Sequence, residues 1–505
     1  MPERPATDLL IRLDTRRAGS AEGLQRQIAT GIRQAVLDGR LAPGSRLAST
    51  RALAEDLAVS RTTTLLALDQ LVAEGYLTAR RGAGTYVAEQ LPSDLRPPRA
   101  PRAERVDRPP ALSRIAVALL ASPPGGRRFP GRPRAFRIGT PAVDLFPVET
   151  WSRLVSRRLR SVKAADLDYG DVSGAPELRE AVAAHVRSAR GTRCTSDQVL
   201  IVAGVQQGLE LLCRMLLDPG DRVWMEEPGY PGARSAFLAP GASPVPVAVD
   251  DEGLDDRAGA RRAPDAKMVY VTPSHQYPLG VTMSLSRRLE LVRWAREARA
   301  WVIEDDYDSE FRYGARPIPC LHGLDRGDRV LYVGSFSKTL FPALRLGFVI
   351  VPPALRERLV AVRAVAEQHP PALDQQVLAD FMEEGHFARH LKRMRAIYAE
   401  RLAALEEAAA SHCAGALSIR PAHTGLHVVA DLVDADAERV AAEAAARGVE
   451  VAPVGRYYAR TERKPAPGRR GRRDALVLGF GSVDAREIDR GMAALAEAIE
   501  AAPHR

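Results

Sequence analysis

A chain of 505 residues exceeds one ordinary domain and, at roughly 150 residues each, divides into two to four. Apolar residues at 46% and charged residues at 27% exclude general disorder, and four scattered cysteines with no CxxC pair exclude a disulfide scaffold or zinc cluster. The net charge of +9 admits a polyanionic partner without requiring one, since basic surface also serves solubility. Charges at Arg4, Asp8, Arg12, Asp14, Arg16 and Arg17 break any leader-like run, and no stretch approaches ~18 uncharged apolar residues, so a cytoplasmic protein is expected.

Leu24, Ile28, Ile32 and Val36 recur every four positions and predict a first helix ending near Gly39. After a Pro43-Gly44 turn, Ser49 is the expected N-cap of a second helix carrying Leu53 and Leu57. Ser60 caps a third, whose apolar side is read as Leu65, Leu68, Leu71 and Val72, with Gly75 closing it. Strands at 76–78 and 85–87 follow, joined by Arg80, Arg81, Gly82, Ala83 and Gly84. Three helices and a small basic hairpin make a winged helix-turn-helix. The third helix opens with Arg61, Thr62, Thr63 and Thr64, the donors expected to meet base edges and phosphates, with Ser60 and Arg51 beside them. The wing arginines, with Gly82 and Gly84 allowing close approach, suit the minor groove or the backbone of double-stranded DNA.

From Leu91 to Arg134, ten prolines and ten arginines stand against three acidic residues. That composition predicts a linker, with one short helix possible at 115–121. The expected division is a DNA-binding domain at 22–90, the linker at 91–134, and a large domain at 135–503 whose main subdomain spans about 165–365.

In the large domain, apolar runs at 199–203, 222–225, 267–272, 301–304, 329–334 and 345–351 alternate with helical patterns. Such runs read as strands buried on both faces, so an α/β fold with a mostly parallel sheet is predicted. One strand leads into Gly334-Ser335-Phe336-Ser337-Lys338 and on to Arg345. A lysine able to form an imine, with Ser335, Ser337 and Arg345 as phosphate donors, is what pyridoxal phosphate requires. Asp305, after another strand, offers the carboxylate that keeps the ring nitrogen protonated, and Tyr307 a donor for the ring's phenolic oxygen. Val205 and Gln206 open a helix whose amides suit the phosphate, and Tyr230 supplies a ring to stack on the pyridine face. No metal site is predicted.

Residues 53–75 and 82–87 follow the patterns LAxxLxVSRxTxxxALxxLxxEG and GxGTxV and resemble the GntR family, with Ala48 where that family usually has proline. The Lys338 loop and the Asp305 segment resemble fold type I aminotransferases. The two halves in this order, with Thr272–Tyr277 (T-P-S-H-Q-Y), are similar to the MocR subfamily of transcription regulators. The resemblance implies a winged helix joined to a fold type I aminotransferase-like domain, with His275 among the cofactor contacts. It also implies a head-to-tail, domain-swapped homodimer in which Tyr169 reaches the partner's phosphate, and regulation by the cofactor or by an amine or amino acid adduct of it. Two departures from working aminotransferases argue for sensing over turnover. Tyr277 stands where the N-P-x-G turn has asparagine, and Val477 where an arginine clamps the substrate carboxylate. Arg456, or Arg472 or Arg473, could replace that clamp. The rival readings are an aminotransferase with an accessory DNA-binding domain and a repressor whose large domain only dimerises.

Overall fold

The computed structural model describes residues 13, 21–80, 83–90, 111–121, 133–314, 318–325, 329–459 and 474–503. It divides into compact units at Met1–Ala111 and Leu112–Arg505, a break inside the segment read as linker.

The first unit comprises α1 (Ala21–Leu37), α2 (Thr50–Asp56), α3 (Arg61–Ala73) and the antiparallel hairpin β1 (Leu77–Arg80) and β2 (Gly84–Val87). Ser49 Oγ accepts from the Ala52 amide and Ser60 Oγ from the Thr63 amide, satisfying helix-start donors that would otherwise lack partners. Ile28, Ile32 and Val36 of α1 meet Leu53, Leu68 and Leu71 in one core with Tyr76 and Val87. Leu65 departs from expectation. It is 46% exposed, because Ala67, Leu68 and Leu71 already define the inward side of α3 and Leu65 lies off that side.

The second unit begins with α4 (Arg114–Ala121), followed by α5 (Val148–Arg160) and α6 (Pro176–Arg190). The strands are β3 (Val199–Val202), β4 (Arg222–Glu227), β5 (Ser243–Asp250), β6 (Gly253–Leu254), β7 (Met268–Val271), β8 (Trp301–Asp306), β9 (Val330–Ser335) and β10 (Gly347–Ile350). They form one sheet in the order β3-β10-β9-β8-β7-β4-β5-β6. The run from β9 to β5 is parallel, while β10 and β6 are antiparallel to their neighbours. All six apolar runs fall on strands. The sequence pattern missed β5 and β6, which lie at one edge; Pro244 and Pro246 and partly exposed positions disguise β5.

Alternate strand residues face opposite layers, as the pleat dictates. Leu200, Met225, Tyr270, Ile303 and Val333 pack under α7 (Val205–Leu216), α8 (Pro231–Leu238) and Leu355 and Leu359 of α12 (Pro353–Ala366). On the other face, Trp224, Val269 and Val302 meet Leu291 and Ala295 of α10 (Leu285–Glu297), near α9 (Asp256–Arg262) and α11 (Leu321–Leu324). Ile201, Tyr332 and Phe348 meet α6, α13 (Ala372–Glu383) and α14 (His386–His412). A second, antiparallel sheet is built from β11 (Leu417–Ile419), β12 (His427–Leu432), β13 (Ala452–Pro453) and β14 (Ala475–Gly479) in the order β11-β12-β14-β13. It carries α15 (Ala437–Ala446) and α16 (Ala485–Glu500) and shares its core with the first layer. No described helix is long and apolar enough to cross a membrane.

Candidate cofactor pocket and DNA-binding face

The parallel strands end together, and the residues singled out in the sequence follow those ends. Asp305 pairs with Val333 and Asp306 with Gly334, so the Asp305 and Lys338 segments emerge side by side from β8 and β9. β10 runs antiparallel to both β9 and β3, which brings Gly204 at the end of β3 to the same edge. That edge is where open α/β sheets bind ligands.

Asp305 is buried, and its Oδ2 accepts a 2.6 Å hydrogen bond from the Tyr270 hydroxyl. Its other oxygen, Oδ1, is buried with no partner in the protein. Burial pushes the carboxyl up to about 7, against the lowering effects of the Tyr270 hydroxyl and of Lys338. A carboxylate held in this way fits a protonated ring nitrogen. Lys338 Nζ donates to the Gly139 carbonyl at 2.6 Å, and a Cβ on Gly139 would come within 2.8 Å of that nitrogen. Gly204, at φ +91°, is the N-cap of α7 and provides no side chain to occupy its first-turn amides. A Cβ there would stand 3.1 Å from the Arg345 guanidinium, which is fixed by donating to the Ala203 carbonyl. Ser335 Oγ accepts from the Ser337 amide, drawing the two serines into one turn. Free helix-start amides, two serines and an arginine suit a phosphate dianion. Val205 lies in that first turn, and Gln206 beside it donates to the Gly232 carbonyl, tying α7 to the start of α8 just after Tyr230.

Tyr307 donates to the His275 carbonyl at 2.9 Å, and its oxygen also lies 3.0 Å from His275 Nδ1. The same nitrogen meets Asp308 Oδ2 at 3.0 Å, while His275 Nε2 is buried with no partner. His427 lies close by with its ring 4.4 Å from that of His275; burial first, then His275 and Lys338, hold its pKa well below the ordinary value. Tyr277 donates to the Tyr457 hydroxyl at 3.2 Å and lies edge-on to Tyr230 at 5.7 Å. Beneath this aromatic wall Glu226 accepts from Thr272 and Gln276, and burial raises its pKa to about 7.

One expectation about the pocket changes. Arg456 is more than half exposed and its guanidinium pairs with Glu438; its neighbour Tyr457, not Arg456, faces Tyr277. Arg472 and Arg473 lie outside the described residues. Tyr169 is 80% exposed and meets the rest of its own chain at the edge of His369. Sequence reasoning missed Tyr270, Asp308 and His427. Only the second stood in a segment already singled out.

On the first unit, Arg51 and Arg61 are exposed; Arg51 pairs with Glu55 one turn on. Thr62 is exposed as well, but Thr63 and Thr64 are buried at 6% and 0% and correct the expected contact set. Thr63 Oγ1 shares a 2.7 Å hydrogen bond with Ser60 Oγ and Thr64 Oγ1 donates to the Ser60 carbonyl, so both threonines, with Ser60, complete the cap. Arg80 lies over the Tyr86 ring and pairs with Glu89; Gly84, at φ +109°, lets the Arg46 guanidinium pass 3.2 Å from where a Cβ would stand. Arg81 and Gly82 lie outside the described residues.

Residues 24–87 match the family model for bacterial regulatory proteins of the gntR family, and residues 145–469 that for aminotransferase class I and II. The chain is 40% identical over 94% of both chains to the probable rhizopine catabolism regulatory protein MocR of Rhizobium meliloti. It is 31% identical, over 94% of this chain and 95% of the relative, to the pyridoxine biosynthesis transcriptional regulator PdxR of Corynebacterium glutamicum. Among solved structures, the α-aminoadipate aminotransferase LysN of Thermus thermophilus, complexed with N-(5'-phosphopyridoxyl)-L-leucine, is 29% identical. It aligns over 77% of this chain and 95% of its own with a TM-score of 0.66. The chain therefore belongs to the MocR-type subfamily of GntR regulators, in which a gntR-type DNA-binding domain is joined to an aminotransferase class I and II domain.

Proposed function

We propose that this protein is a cytoplasmic transcription regulator that binds an operator through its winged helix and holds pyridoxal phosphate at Lys338, sensing the cofactor or an amine captured on it. The observation that carries the reading is Asp305, buried, with one oxygen bonded to Tyr270 and the other awaiting a donor. When bound, pyridoxal phosphate supplies an aldehyde that captures an amine and a ring that withdraws electrons from it. Asp305 takes the ring N–H. Lys338, beside the Gly139 carbonyl, offers the amine that anchors the aldehyde. Tyr307, bonded to the His275 carbonyl, would donate to the ring's phenolic oxygen, and Asp308 keeps the His275 ring in register. Ser335, Ser337, Arg345 and the α7 amides at Val205 and Gln206 hold the phosphate, while Tyr230 covers the ring.

A shift of Tyr230 has a route outward. It immediately precedes α8, against which α4 packs, and α4 begins the segment leading back to the winged helix. The 80% exposure of Tyr169 fits a side chain that completes the pocket of a second copy, as a head-to-tail homodimer requires. The domain limits 22–90, 91–134 and 135–503 belong to the same reading.

The test is spectroscopic. Reconstituted protein should show the long-wavelength absorbance of bound pyridoxal phosphate, and Lys338→Ala should lose it; a colourless wild type refutes the reading. The aminotransferase fold keeps a second reading in view, an enzyme with an accessory DNA-binding domain. Steady turnover of an amino acid with an oxo acid would establish it. A single half-reaction together with an altered operator affinity establishes sensing.

A further inference from the structure

α3 presents more than polar groups to its open side. At ~100° per residue, Arg61, Leu65, Asp69, Thr62 and Leu66 fall in that order within one arc of about 140°, and all five are exposed. Thr63, Thr64, Ala67, Leu68 and Leu71 fill the opposite side and are buried. Leu65 and Leu66 are 46% and 48% exposed, side by side on a domain whose core closes without them through Ile28, Ile32, Leu53, Leu68 and Leu71. Two adjacent leucines beside these donors form an apolar spot that a partner can cover.

The neighbours identify the cover. Arg61 and Thr62, one turn earlier on the same arc, are donors at the start of the helix, the part that meets base edges when a recognition helix enters the major groove. Asp69, the acid of this arc, would be repelled by phosphates but can accept from a base amine. An acid on this arc suits base edges better than the phosphate backbone. Leucine can neither donate nor accept, and set against the amine of adenine or cytosine it would strip water from a donor and return nothing. The thymine C5 methyl is the apolar group of the major-groove edge.

We propose that Leu65 and Leu66 read thymine methyl groups in the operator, so that the second turn of α3 specifies bases by apolar contact while Arg61 and Thr62 supply the polar ones. This rests on the reading that α3 enters the major groove.

The experiment selects sites from a random-sequence duplex pool with the full-length protein, then replaces each thymine of a selected site by deoxyuridine, which lacks only the methyl. Kd measured by anisotropy should rise about fourfold at one or more positions per half-site, the equivalent of ~0.8 kcal/mol for one buried carbon. Leu65→Ala or Leu66→Ala should erase that sensitivity at its own position while the protein still binds. Full-strength binding to every deoxyuridine duplex overturns the proposal, as does unchanged sensitivity in both variants. A change of oligomeric state in either variant with base preference intact also overturns it, by assigning the face to a second copy. A pool that yields no enriched sequence refutes the placement of α3 in the groove itself and the proposal with it.

Discussion

Replacing Asp305 by asparagine should move the cofactor-free protein and the cofactor complex in opposite directions. In the free protein the carboxyl titrates near 7 against an ordinary value of 3.8, because burial penalises its charge. A folded-state pKa raised above the unfolded one means that the folded protein binds more protons between those values, so stability falls as pH rises from about 4 through 7. For this one group the loss between pH 5 and pH 8 is roughly 3 kcal/mol, at about 1.4 kcal/mol per unit. Glu226 and Glu304, both raised to about 7 by burial, add slope of the same sign. Asp305→Asn keeps an acceptor for the Tyr270 hydroxyl, removes the charge, and should flatten the pH dependence of the urea midpoint by about that amount. With pyridoxal phosphate bound, the variant lacks the charged partner of the ring N–H and should bind about 10- to 150-fold more weakly, the worth of a charge-assisted hydrogen bond at 1.5–3 kcal/mol. Identical pH slopes for the two apoproteins, or equal cofactor affinity in absorbance titrations, would refute the assignment of Asp305.

Gly425 and Gly448 share φ +80°, but a Cβ on Gly425 would stand 2.0 Å from the His275 ring while one on Gly448 meets nothing within 4 Å. Gly448→Ala should therefore cost about 1 kcal/mol for the left-handed backbone alone, and Gly425→Ala at least about 2 kcal/mol more; equal shifts in denaturation midpoint would show that His275 is not held where described. Gly204→Ala should push the Arg345 guanidinium away and weaken cofactor binding about tenfold, ~1.4 kcal/mol, and unchanged affinity in titration would remove Arg345 from the phosphate site. Arg61→Ala should weaken binding to a selected operator by about 1 to 3 kcal/mol. If anisotropy shows no loss, α3 does not lie in the groove as described.

The parts of the fold legible in the sequence are those whose chemistry is local. Ser49 and Ser60 read as caps because the hydroxyl and the amide it satisfies lie three residues apart. The parallel strands read as unbroken apolar runs, and the Lys338 loop as a lysine among phosphate donors. Orientation on α3 was not legible, since Thr64 buries its hydroxyl by bonding to the Ser60 carbonyl while Leu65 and Leu66 remain outside. Hydrophobicity alone ranks those residues the wrong way round. Tyr270 was hidden in a run where any large side chain would serve; only its strand's place beside β8 brings its hydroxyl to Asp305. Arg456 misled because its partner, Glu438, comes from α15, eighteen residues earlier.

If Val477 and Tyr277 stand at the clamp and turn positions of working aminotransferases, as the resemblance implies, the two form a single structural unit rather than two separate substitutions. Val477 is wholly buried on β14, opposite Val429 on β12 and Ala452 on β13, in a cluster with Val454 and Tyr457 against which Tyr277 packs. Tyr277 and Tyr457 meet edge-on at 5.2 Å with their hydroxyls bonded, so the residue in the asparagine position helps cover the one in the arginine position. An arginine restored at 477 alone would enter this apolar cluster without a carboxylate to receive it, a burial that costs several kcal/mol. Val477→Arg should therefore destabilise the large domain and bring no turnover, whereas a two-point contact to an incoming carboxylate is what holds a substrate in line for repeated proton transfers. On the proposed function, a pocket that keeps Lys338, Asp305 and the phosphate donors while packing tyrosines at the clamp site would capture an amine without orienting it for rapid release. Prolonged capture of that kind is what a sensor requires.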